Sequence, residues 1–201
     1  MRIWVISDLH LEFADWRPAP PDADVCVVAG DVLTRGPEHS LEWLAQHIAR
    51  RMPVVFTAGN HEFYGGRYGF DLARRRARDL RLPGVHFLDD GEVVIGGVRF
   101  LGATLWTDFE LDGSSPHDVA WAMMNVQGLL NDFGGAIQDF NEPSGKLTTQ
   151  RAKAMHERSR AFRGGRSRSR STGRRWWSRT MRRTAGPCMS AIATARSTRA
   201  S

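Results

Sequence analysis

Val54-Val-Phe-Thr-Ala-Gly-Asn-His-Glu62 sets an apolar run of strand character directly against a glycine and three polar side chains. The same design occurs twice earlier, in Ile3-Trp-Val-Ile-Ser-Asp-Leu-His10 and in Val25-Cys-Val-Val-Ala-Gly-Asp31. β-Branched and aromatic residues favour strands. Unbroken apolar runs, as opposed to alternating ones, mark strands of a sheet covered on both faces. Residues 2–7, 25–29 and 54–58 are therefore read as three buried strands. Between the last two, residues 37–51 carry Leu41, Trp43, Leu44 and Ile48 at helical spacing, and Pro53 ends that pattern. Strand, crossover helix and strand in succession argue for an α/β layered domain.

The remaining pattern extends this frame. Residues 69–82 read as a basic helix and 85–88 as a short strand. Residues 92–95 and 98–105 flank Gly96-Gly97, a two-residue hairpin signal. The expected architecture is a layered αββα sandwich with parallel and antiparallel pairing, a mixed sheet, incomplete at its C-terminal end. Residues 117–130 and 148–162 are expected to be helical, with a loop over 131–143. Trp4 and Trp43 are read as packing residues, and Arg74, Arg75, Arg76 and Arg78 as a solvated helix face. His39, His47 and His86 are read as core or surface residues, whereas His117 and His156 could approach the site but lack a motif.

The 201 residues suit one domain with a sizeable core. No apolar run approaches membrane-spanning length, and the N-terminal residues do not form a signal peptide. Cys26 and Cys188 give no disulfide framework, so a reducing, cytoplasmic setting is expected. The net charge of +6 divides unevenly. Residues 1–162 hold 17 Lys+Arg against 22 Asp+Glu, a balance of −5, whereas residues 163–201 hold 11 arginines and no acid. The basicity thus belongs to the tail, and the folded part is mildly acidic.

In parallel sheets, ligand sites form beyond the carboxyl ends of the strands. Asp8 and His10 follow the first strand, Asp31 the second, and Asn60 and His61 the third, so all five are expected at one sheet edge. Each motif alone is ordinary turn chemistry; the signal is their order, each one closing a strand. Carboxylate, imidazole and amide oxygen together suit Mn, Fe, Zn or Ni better than an all-thiolate site would. Asp31, on the central strand, is the natural carboxylate to be shared by two cations about 3.5–4 Å apart, the spacing used for in-line phosphoryl displacement.

The order Asp-x-His, Gly-Asp, Gly-Asn-His-Glu resembles the calcineurin-like metallophosphoesterase family, and Leu101-Gly-Ala-Thr-Leu-Trp-Thr-Asp108 is similar to its small bacterial branch. The resemblance covers about residues 1–162. It implies a hydrolase of phosphate mono- or diesters with two divalent metal ions: Asp8 and His10 on the first, Asp31 bridging, and Asn60 on the second. It implies His61 as the catalytic histidine, with Glu62 supporting it from behind.

The family pattern also asks for a later strand ending in histidine and for Gly-His-x-His, neither of which occurs; no histidine follows His156. Arg174-Arg-Trp-Trp-Ser-Arg-Thr-Met-Arg182 can be encoded so that a shifted frame reads Thr-Val-Val-Val-Thr-His-His-Ala, and tryptophan's single codon forces part of that match. Residues from about 163 onward are accordingly read as a frameshifted tail, without helical or strand period and expected to be disordered. The second metal site is then expected to be weak and activity impaired. Two other readings compete. One is a non-catalytic protein that binds nucleic acid through its Arg/Ser-rich tail, where contacts with phosphate would be non-specific. The other is a family-like fold without activity.

Overall fold

The computed structural model describes residues 1–168 and the strand Ala191–Ser197. The recoded segment 174–182 and Cys188 lie outside the described residues. Four strands, β1 (Ile3–Ile6), β2 (Val25–Ala29), β3 (Val54–Thr57) and β4 (Val85–Phe87), form a parallel sheet in chain order. A hairpin of β5 (Gly91–Ile95) and β6 (Val98–Thr104) turns at Gly96-Gly97, both with positive φ. It belongs to a separate antiparallel sheet, so the two pairing modes expected from sequence occur in two sheets instead of one. Helices α1 (Pro37–His47), α2 (Phe70–Asp79), α3 (Pro116–Leu129) and α4 (Thr149–Arg168) complete an α/β sandwich.

Strand alternation sorts the core into two layers. Cys26, Val28, Val54 and Phe56 face the larger cluster, with Leu41 and Leu44 of α1, Phe70 and Ala73 of α2, and Met155 of α4. Val25, Val27 and Val55 point the other way, to Leu88 and to Phe100 of the second sheet. A period of two within an unbroken valine run thus serves both faces. β1 departs from expectation. Its residues Ile3 and Val5 pair in register with Val25 and Val27, yet are 38% and 61% exposed. Among the described residues, β1 is an edge strand packed on one face, through Trp4 and Ile6.

Three further differences have local causes. Arg74 is not on a solvated face: it is buried, bidentate on the buried Asp89 carboxylate and over the Phe70 ring. The span 131–143 is not a featureless loop, because Asp132–Ala136 forms a single π turn that contains Gly135 at the non-helical φ of 117°. The last helix runs past 162 to Arg168, and Ala191–Ser197, expected to be without structure, forms β7 antiparallel to β6. The amide and carbonyl edge of β6 would otherwise be open to pairing, and residues 191–195 carry no charge against it.

The registered pair Val5 and Val27 tests this layering. Threonine keeps the β-branched shape, so any cost reports burial of the hydroxyl. Val27→Thr is expected to lower the unfolding free energy by about 2 kcal/mol, and Val5→Thr to change it by less than about 0.5 kcal/mol. Urea denaturation of both variants makes the comparison.

Candidate metal centre

The loops leaving β1 and β2 remain paired after the strands end. Backbone N–H groups of Asp8, His10 and Leu11 donate to the carbonyls of Gly30 (3.1 Å), Asp31 (2.9 Å) and Val32 (3.0 Å). Asp8, His10 and Asp31 all lie in the left-handed region, at φ 55°, 46° and 55°. That conformation costs an L-residue on the order of 1–2 kcal/mol and persists only where the surroundings over-determine it. Gly30 and Gly59 permit the close approach of loops two and three. A Cβ on Gly30 would stand 2.5 Å from the Gly59 nitrogen, and one on Gly59 would stand 2.2 Å from Asp31 Oδ1.

Glu62 holds this arrangement from below. Its fully buried carboxylate accepts from the backbone N–H of Asp31 (3.0 Å), Val32 (2.7 Å) and Gly59 (2.7 Å), and from Ser40 Oγ (2.9 Å). Burial pushes its carboxyl up to about 7, helped by the nearby Asp31 and opposed by the three N–H donors. Glu62 therefore touches the loops that present the site, and its role reaches well beyond its neighbour His61.

Asp8, His10 and Asp31 come together, with one ligand atom from each lying within 4.8 Å of the others. Burial pushes the Asp31 carboxyl up to about 6. The His61 N–H, 3.0 Å from Oδ1, pulls it down, and the Asp8 carboxylate adds to the rise. Two carboxylates held close in a partly buried place are mutually unfavourable without a counter-charge. With an imidazole beside them they form a donor set suited to a hard or borderline divalent cation. The residues fit such an ion.

The side chain of Asn60 is turned so that Nδ2 donates to Asp132 Oδ1 (2.8 Å) and Tyr64 Oη (3.3 Å). Its carbonyl oxygen is left as the end able to meet an ion. Tyr64 also donates to Asp132 and stacks on the His61 ring, with centroids 4.4 Å apart. Burial, with Asp132 beside it, pushes the Tyr64 hydroxyl up, so it remains a donor. His61 Nδ1 lies 2.9 Å from Glu12 Oε1. Sequence reasoning missed Glu12, Tyr64 and Asp132. Glu12 is two residues from His10 and could have been suspected. Asp132 is 72 residues from Asn60, in a segment without periodicity, and nothing local announces it. His156 is buried, with Nδ1 on the Trp106 carbonyl.

With this geometry in place, the match to a family model is informative. The calcineurin-like phosphoesterase model matches residues 1–179, most of the chain. The chain belongs to that family, whose members are metal-dependent phosphoesterases. No curated protein matches it. Among the described residues, no helix is long and apolar enough to cross a membrane.

Removing Glu62 tests the support beneath the site. Glu62→Ala strands three backbone N–H donors and the Ser40 hydroxyl and is expected to cost about 3 kcal/mol or more, whereas Ser40→Ala removes one of the four donors to Glu62 and strands only the Leu33 N–H, at a cost of about 1–2 kcal/mol. Urea unfolding should rank them in that order, with Mn²⁺ affinity lost only in the glutamate variant.

Proposed function

We propose that this chain binds a divalent ion (Mn, Fe, Zn or Ni) through Asp8, His10 and Asp31, and that its fold is that of a hydrolase of phosphate mono- or diesters whose activity is impaired in the chain as it stands. The observation that carries the reading is the Asp8–His10–Asp31 group, with His61 bonded through its backbone to Asp31. Asp31 and Asn60 would be the residues to hold a second ion. A divalent ion, when bound, lowers the pKa of water and neutralises phosphoryl oxygens.

The protein's own groups do the remaining work. Loop pairing holds Asp8, His10 and Asp31 at fixed spacing. Asp132 and Tyr64 hold the Asn60 amide so that its oxygen is available. His61, at the rim and doubly protonated, gives its Nε2 proton to the leaving oxygen as water bonds to phosphorus and the ester P–O bond breaks; the water keeps one hydrogen as the new phosphate hydroxyl and loses the other to solvent, from which His61 is reprotonated. Asp31 and Asn60 alone are a weak ligand pair, one member being a shared carboxylate and the other a neutral amide. A second ion would therefore be weakly held.

Assays with Mn²⁺ against p-nitrophenyl phosphate and its bis-ester test the proposal. The 201-residue chain should show little or no turnover, at least about 10²-fold below a version with the reading frame restored beyond residue 163. Asp31→Asn in the restored version should abolish turnover. Comparable turnover by both chains would overturn the weak second site, and absence of turnover in the restored version would overturn the phosphoesterase reading.

A further inference from the structure

Glu12 follows His10 in the loop after β1 and belongs to none of the motifs that define the site. Its side chain is 16% exposed. One oxygen, Oε1, lies 2.9 Å from His61 Nδ1 and 3.2 Å from His10 Nδ1. The two imidazoles are set edge to face, with centroids 4.4 Å apart. A carboxylate oxygen has two lone-pair directions and can accept from both rings at once. The other oxygen, Oε2, is buried without a hydrogen-bond partner, so Oε1 does the accepting.

We infer that Glu12 is a positioning residue that fixes the tautomers of both histidines. The inference rests on the reading of this site as a metal-dependent phosphoesterase centre. An ionised carboxylate can only accept, so each Nδ1 facing it must carry hydrogen. Each ring then presents Nε2 on its far side: the His10 Nε2 lone pair to an ion held with Asp8 and Asp31, and His61 Nε2 to the leaving oxygen, which it protonates once a second proton at Nε2 has made the ring an imidazolium. A carboxylate behind a ligating imidazole also raises its basicity and locks its orientation. One side chain thereby couples the ligand histidine to the proton-donating one.

A competing arrangement would place an ion directly among His10, Glu12 and His61, whose ligand atoms also lie within 4.8 Å of one another. That arrangement requires unprotonated Nδ1 atoms and so predicts the opposite tautomer at both rings. The two separations from Oε1 are those of N–H···O bonds, with donor and acceptor already in contact.

Long-range ¹H–¹⁵N NMR of the metal-free protein at about pH 8, above the ordinary histidine range, decides between them. Wild-type protein should show the Nδ1–H form at His10 and His61. Glu12→Ala should return both rings to the Nε2–H form favoured by free imidazole, and lower Mn²⁺ affinity, followed by EPR with the metal alone, by about 10-fold or more. Glu12→Leu, close in size with no acceptor, should release both rings and serves if the alanine variant does not fold. Nε2–H forms in the wild type, or tautomers and Mn²⁺ affinity unmoved by both substitutions, would overturn the inference. Because the tautomers are read without substrate or metal, absence of turnover in the frame-restored version alongside the expected tautomers would overturn the catalytic reading and leave the role of Glu12 standing.

Discussion

The Glu62 carboxylate is the interaction on which the rest of the site depends. It is fully enclosed and accepts four hydrogen bonds, three of them from backbone donors in the loops after β2 and β3. Those loops have left the sheet, so no strand ladder satisfies their N–H groups, and buried donors without partners cost on the order of 1–3 kcal/mol each. Glu62 satisfies them together and so fixes the separation of Asp31 from Asn60 and His61. The burial that raises its carboxyl toward neutral pH is the cost of that placement, offset by the convergence of donors.

Above this anchor the site has little freedom. Three non-glycine residues occupy the left-handed region side by side in the loops, and two glycines let the backbones meet where any Cβ would collide. Such strain is tolerated only under constraint from all sides. The constraint comes from continued backbone pairing between the first two loops, from Glu62 beneath, and from Thr104 of the second sheet, whose hydroxyl donates to the Ala58 carbonyl at 2.7 Å. The result is a rigid display of negative and imidazole groups, a geometry that favours a bound cation over a flexible acidic patch.

The parallel sheet and the three loop motifs were legible in the sequence because each rests on a local pattern: an apolar run, then glycine and a polar residue. Covering of the strands was not legible to the same degree. Ile3 and Val5 read as doubly buried, since an apolar run does not say whether a second layer reaches it, and β1 proves to be an edge. Arg74 read as a surface charge because its partner Asp89 lies 15 residues away, past a turn. Glu12, Tyr64 and Asp132 join the site through side-chain contacts spanning up to 72 residues. Periodicity and motif spacing carry no trace of contacts of that kind. β7 likewise depends on an edge made available by β6, a property of the partner and not of residues 191–197 themselves.

The central claim is that Asp8, His10 and Asp31 form the primary seat for a divalent ion. Anomalous diffraction from crystals grown with Mn²⁺, collected at the manganese edge, addresses it most directly. The account predicts an anomalous peak within ligand distance, about 2.0–2.3 Å, of an oxygen of Asp8, an oxygen of Asp31 and a His10 ring nitrogen. A peak seated elsewhere, or no peak at this group while the fold is intact, would contradict it.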